Sequence, residues 1–147
     1  MLTQLLPDQI AKFWDIIKFG IEESLPPMVS DHPERMNNVL ASLLSGKAQC
    51  WVSHRNTEEG KVFEGVVITK VMVDDITATK NLLIYSVYGY TETNAETWQQ
   101  GFMAIAKYAI SKGCQSIVGY TDVPDIIKIV KKFNGEARYA FIKIPLK

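Results

Sequence analysis

The chain has 147 residues, 47% hydrophobic and 22% charged, which suits one domain over residues 1–147 with a real core and argues against wholesale disorder. Sixteen basic residues balance sixteen acidic ones, so the broad positive field of a general nucleic-acid or anionic-membrane binder is missing. No apolar run approaches the roughly 18–20 residues that span a bilayer, and residues 1–7 lack the features of a secretory signal. Two cysteines, Cys50 and Cys114, suffice for neither a disulfide scaffold nor a four-thiolate zinc site. His32 and His54 have no helical pairing, so no metal site is expected either. A cytoplasmic, reducing setting is the expectation.

Residues 2–6 make a short apolar lead-in, read as a strand and closed by Pro7-Asp8. Ile10, Phe13, Trp14, Ile17 and Ile21 then recur at helical spacing. Leu25-Pro26-Pro27 stops that helix, because proline lacks the amide hydrogen and its ring collides with the preceding turn. A second helix opens with Asp31 as N-cap, Pro33 in the first turn and Glu34 behind it. Met36, Val39, Leu40, Leu43 and Leu44 form its buried stripe, and Gly46 ends it in a left-handed conformation.

The period then changes. Residues 49–54, 62–73 and 81–90 read as strands rich in β-branched and aromatic side chains, divided by polar turns at 55–60 and 74–80. Three successive strands of this kind predict an antiparallel meander. Thr93 and Glu96 then form a capping box for a helix whose Ala95, Trp98, Phe102, Ile105, Ala106 and Ala109 share one face, and Lys112-Gly113 ends it. Residues 115–120 predict a fifth strand, short and apolar enough to be central. Residues 122–134 predict a last helix with Ile126, Ile127, Ile129 and Val130 inside, and residues 137–144 a closing strand.

The order is strand, two helices, three-stranded meander, helix, strand, helix, strand. It resembles the GNAT N-acetyltransferase fold over essentially the whole chain: an α/β (α+β) domain with a mixed, mostly antiparallel sheet. Lys112-Gly113-Cys114-Gln115-Ser116-Ile117-Val118 is similar to the family's turn into its fifth strand, and Gly135 sits where many members carry a Gly-Phe pair. The resemblance implies acetyl-CoA in a cleft between the fourth and fifth strands. Its pantetheine arm would lie along the backbone of Val87 and Tyr88, with the pyrophosphate near Gly89, Thr91, Thr93 and Asn94. A helix N-terminus offers unpaired amides and the positive end of a dipole to such an anion.

The chain also departs from that family. In place of Arg/Gln-x-x-Gly-x-Gly/Ala it has Gly89-Tyr90-Thr91-Glu92-Thr93-Asn94-Ala95-Glu96, with one glycine, no Arg or Lys, and two glutamates. A carboxylate stabilises a helix start by roughly 0.3–1 kcal/mol but repels a pyrophosphate. Thr93 and Glu96 would also occupy amides that a cofactor needs. Where many members place a thiolate-protonating tyrosine, about four residues before the Gly-Phe pair, this chain has Lys131. Tyr88 and Tyr120 are the candidate substitute acids, and Glu64, Asp74 and Asp75 the carboxylates available as a base. One strand rather than two follows Gly135, so a closing hairpin would be missing or come from another subunit.

Other readings stay open. Tyr85, Tyr88 and Tyr90 also fit plain cross-strand packing. Trp51 and Trp98 read as core or interface, and Cys114, without a histidine nearby in sequence, as an inert thiol. Residues 126–147 carry six basic side chains and one acid, whereas residues 1–35 carry six acids and three bases. Such runs are solvated faces, or they dock on an acidic protein surface, head to tail between copies, or meet a phosphate.

The expected function is a non-catalytic binding or assembly protein with a degenerate site, no cofactor, and a protein partner or homo-oligomer. The chain is similar to small bacteriophage GNAT-like proteins, some virion-associated, which implies the host cytoplasm or the virion. The alternative is an acetyl-CoA-dependent N-acetyltransferase acting on a primary amine of a small molecule or protein.

Overall fold

The computed structural model describes residues 2–146. The elements are β1 (Leu2–Gln4), α1 (Pro7–Lys12), α2 (Trp14–Glu22), α3 (Arg35–Leu44), β2 (Gln49–Thr57), β3 (Gly60–Asp74), β4 (Thr79–Gly89), α4 (Ala95–Ser111), β5 (Ser116–Gly119) and α5 (Pro124–Lys132). The strands form one mixed sheet in the order β1-β2-β3-β4-β5. The first four pair antiparallel, and β5 runs parallel to β4.

Alternation along the strands divides the core. On one side, Cys50 and Val52 of β2 and Val66 and Ile68 of β3 meet Ile10, Ile17, Ile21, Met36 and Leu43 of the first three helices. On the other, Trp51, Val67 and Leu82 meet Ile105 and Ala109 of α4. Successive strand residues point to opposite faces, so an uninterrupted apolar stretch such as Cys50-Trp51-Val52 marks a strand covered on both sides. Three of the polar groups inside are chained together. Trp51 Nε1 donates to Thr69 Oγ1 at 3.0 Å, and that hydroxyl donates to Gln49 Oε1 at 2.9 Å.

Several predicted elements are redrawn. The first helix breaks at Phe13, whose backbone (φ −105°, ψ 19°) leaves the helical region as its ring packs 5.2 Å from Phe63. Asp31 does not cap the next helix, because α3 starts later, after Glu34; Asp31 instead pairs with Arg35 at 3.2 Å. Leu44 turns outward, whereas Gly46 has the expected left-handed conformation at φ +81°. The β2–β3 turn tightens to Glu58-Glu59, with Gly60 at φ +116° making the reversal.

The larger corrections concern the C-terminal third. β5 is the edge of the sheet, not a central strand, since it pairs with β4 alone. Residues 137–144 form no strand. Side-chain contacts hold that segment instead: the Tyr120 and Phe141 rings meet edge-on at 5.1 Å, and Lys143 Nζ donates to the Pro27 carbonyl at 2.9 Å. No residue of α5 is fully buried; Ile126, Ile127, Ile129 and Val130 are half-covered. Four residues of β5 make too small a platform to bury an amphipathic helix. The Phe102–Phe133 stack, 4.2 Å between centroids, ties the end of α5 to α4.

Candidate functional site

β4 and β5 part company halfway along β4. Their pairing runs from Asn81 opposite Ser116 to Ile84 opposite Gly119 and stops, while β4 continues to Gly89 with only β3 beside it. At that point the β3–β4 register skips. Ser86 faces Ile68 and Ile84 faces Thr69, so Tyr85 is the extra residue of a β-bulge. A bulge bends its strand and redirects the side chains, which suits a strand leaving its neighbour. Burial raises the Tyr85 phenol above its ordinary value, which keeps it protonated and able to donate. The neighbouring Ser86 Oγ is buried without a partner among the described residues.

An orphaned hydroxyl of this kind costs about 1–3 kcal/mol of desolvation that no contact restores. Ser86→Ala is therefore expected to leave stability unchanged or raise it by up to about 1 kcal/mol, whereas most substitutions at so buried a position destabilise. Thermal unfolding of the two proteins checks this, and a clear fall in Tm would mean that the hydroxyl is bonded.

The residues assigned to a cofactor by resemblance follow the opening. Val87 packs toward α4 and Tyr88 toward the first three helices, while Gly89 ends β4. Thr91 and Asn94 are exposed and Thr93 is half-buried. The expected Thr93/Glu96 capping box does not form. Asn94 is the N-cap, accepting from the Thr97 amide at 2.8 Å and the Thr97 hydroxyl at 3.0 Å. With the cap at Asn94, the third helical residue is Thr97, and Glu96, at the second, cannot reach back as a capping box requires. The amides of Ala95 and Glu96 have no acceptor among the described residues. The helix start is thus less closed than its sequence suggests, but Glu92 and Glu96 flank it, both exposed, and the chain has no Lys or Arg between Lys80 and Lys107.

The candidate catalytic residues are not brought together. Tyr88 lies on the side of α1–α3, its ring edge-on to Phe19 at 5.8 Å and to Tyr90 at 5.2 Å. Glu64 accepts from Ser53 Oγ at 3.4 Å. Ser53 stands two residues beyond Trp51 on β2 and opposite Leu2, which places that carboxylate on the α4 side of the sheet. Tyr120 lies beyond the end of β5, 42% exposed. Asp74 ends β3 and Asp75 opens the exposed β3–β4 turn, where Asp74 accepts from the Ile76 amide.

Tyr90 has a structural task. Its hydroxyl donates to the Ile16 carbonyl at 2.6 Å, which fastens α2 to the end of β4. Burial, then the proximity of Cys50 and Tyr88, raises its pKa. Burial likewise pushes the Cys50 thiol from 9.0 up to about 12. A group whose folded-state pKa is raised contributes stability that is complete below the unfolded value and lost as pH climbs toward the folded one. The protein is therefore expected to lose stability from about pH 9 toward pH 12. Denaturation midpoints across that range check it. Cys50→Ala should flatten the fall; an unchanged slope would remove the thiol as its cause.

Trp51 is core, edge-on to Tyr108 at 5.3 Å. Among the described residues, no three His, Cys, Asp or Glu side chains gather as a metal site would need, and no helix is long and apolar enough to cross a membrane. The bulge at Tyr85 was not readable from the sequence. A bulge inserts one residue into a run that still alternates on either side, so its only trace is that Tyr85 and Ser86 break phase together.

No family model and no curated protein matches this chain. Solved structures do. An aminoglycoside acetyltransferase from an uncultured soil metagenomic sample superposes with a TM-score of 0.71 at 12% identity, covering 100% of this chain and 98% of that one. A predicted acetyltransferase from Clostridium acetobutylicum, solved with acetyl-CoA, gives 0.68 at 12%, covering 99% and 96%. The ribosomal-protein-alanine N-acetyltransferase of Brucella melitensis gives 0.66 at 13%, covering 99% of both. At such identities the likeness concerns architecture: the chain has the GNAT fold.

Proposed function

We propose that this protein uses the GNAT fold to bind another protein chain, a second copy of itself, and not to transfer an acetyl group. One observation carries the reading: the sheet ends at a four-residue strand paired on one side alone, and the apolar segment 137–144 joins no ladder. Tyr139, Ile142 and Ile144 are 78–79% exposed. An open edge presents unpaired amides and carbonyls to any extended chain, and apolar residues next to it supply the buried area that fixes a partner. The charge distribution favours a copy as that partner. Lys128, Lys131 and Lys132 lie on α5 and Arg138 follows it, whereas Asp8, Asp15 and Glu22 lie on α1 and α2. Contact between the basic segment of one copy and the acidic helices of the next would be heterologous and would repeat from copy to copy, closing into a ring or running on as a filament. That suits the assembly role suggested by the resemblance to virion-associated bacteriophage proteins.

Against acyl transfer stand the scattered candidate acids and bases and the two carboxylates at the start of α4. Sedimentation velocity on the intact protein over a wide concentration range tests the proposal. Association is expected, and Ile142→Lys combined with Ile144→Lys should abolish it without changing the circular dichroism spectrum. A wild-type chain that stays monomeric at high concentration, or a variant that associates equally well, would overturn it.

The second reading, an acetyl-CoA-dependent N-acetyltransferase, is favoured by the bulged opening between β4 and β5. In that case the Val87–Gly89 backbone and the amides of Ala95 and Glu96 would hold the thioester arm and the pyrophosphate. The chemistry supplied would be an activated acetyl group.

A further inference from the structure

Lys70 is in an unusual place for a lysine. It stands on β3, two residues beyond the buried Ile68 and on the same face, the one packed against α1–α3. It is half-buried, and among the described residues it has neither an ion-pair nor a hydrogen-bond partner. Lysine is rarely withdrawn from water unless an acid meets it. Here the space beside it is a cleft of about 340 Å³ between α3 and the middle of β3 and β4.

That cleft has one sign of charge. Lys70, Lys47 and Arg35 line it, Asn38 and Ser42 of α3 add neutral polar groups, and Tyr85 of the bulge contributes its phenol. Among the described residues no carboxylate lines it. At the rim Asp31, fully exposed, pairs with Arg35 at 3.2 Å, while Arg35 also donates to the Ser30 carbonyl. Two lysines are thus left uncompensated in a concave site in a chain of zero formal net charge. Clefts walled by protein focus the field of such a cluster, and charge-assisted hydrogen bonds to an oxyanion are about twice as strong as neutral ones. Asn38, Ser42 and Tyr85 can each donate as well.

We infer that this cleft is a binding site for a small molecule bearing an oxyanion, a carboxylate or a phosphate, held by Lys70 and Lys47 with Arg35 at the rim. The site is on the opposite face of the sheet from α4 and does not depend on whether acetyl-CoA is used or copies associate.

Titration of the full chain with inorganic phosphate and, separately, with citrate tests it by amide chemical-shift mapping at ionic strength held constant with sodium chloride. Saturable shifts are expected at Ser42, Lys70 and Tyr85, with at least a tenfold loss of affinity in Lys70→Gln and in Lys47→Gln. Response to phosphate alone identifies a phosphate site, response to citrate alone a carboxylate site, and response to both a general oxyanion site. Shifts confined to residues 128–143, no saturation with either anion, or full affinity in both variants would overturn the inference. Because Lys47 is exposed, its variant keeps the test decisive even if Lys70→Gln alters the fold.

Discussion

Leu82→Ala is expected to lower the unfolding free energy by about 2–5 kcal/mol, the range for removing a buried leucine from a core that cannot fully collapse. Leu82 has no exposed surface. It pairs with Ile117 across the parallel β4–β5 ladder, and it belongs to the cluster of Trp51, Val67, Ile105 and Ala109 that seats α4. This cluster has five buried members against eleven on the other face, so a void here has fewer neighbours to fill it. For a chain of this length the loss corresponds to a fall in Tm on the order of 10 °C. Chemical denaturation measures it directly. A loss under 1 kcal/mol would show that β5 and α4 hold the sheet only loosely.

The second large effect is steric. Gly20 lies inside α2, where alanine would ordinarily be worth about 0.8–1 kcal/mol of helix propensity over glycine. In this fold a Cβ at that position would fall 2.6 Å from the Tyr90 hydroxyl and 2.8 Å from Val66 Cγ1. The overlap reverses the sign: Gly20→Ala is expected to destabilise by about 1–3 kcal/mol, since α2 must lift from the sheet or break the Tyr90–Ile16 bond. Tyr90→Phe alone should cost about 0.5–1.5 kcal/mol for that bond. Both changes touch one contact, so their combination should cost less than the sum. Strict additivity in denaturant titrations would place the clash elsewhere, at Val66.

The parts of the fold that could be read from sequence are those where period and punctuation agree. The meander was legible because β-branched and aromatic residues run between polar turns, and α4 because Trp98, Phe102, Ile105 and Ala109 keep one helical face over its whole length. Position within the sheet was not legible for β5. Ser116-Ile117-Val118-Gly119 reads alike at an edge or in the middle, since only the presence of a further strand distinguishes them. Residues 137–144 carry strand propensity, but propensity requires a partner, and the ladder never reaches them. The cap of α4 was missed by one residue because Thr93 and Asn94 are both good caps, and the spacing to Glu96 favoured the wrong one. Around the candidate site, the acids at the start of α4 were visible in sequence. The bulge at Tyr85 and the separation of Tyr88 from Glu64 required the register of three strands.

As proposed above, the GNAT fold here would serve association and take no thioester cofactor. Thermal unfolding of the intact protein with and without millimolar acetyl-CoA tests it most directly. An unchanged Tm is expected. A ligand present at 100 times its dissociation constant would stabilise the native state by about 2.7 kcal/mol, and a rise in Tm of several degrees would show that the cofactor site is intact.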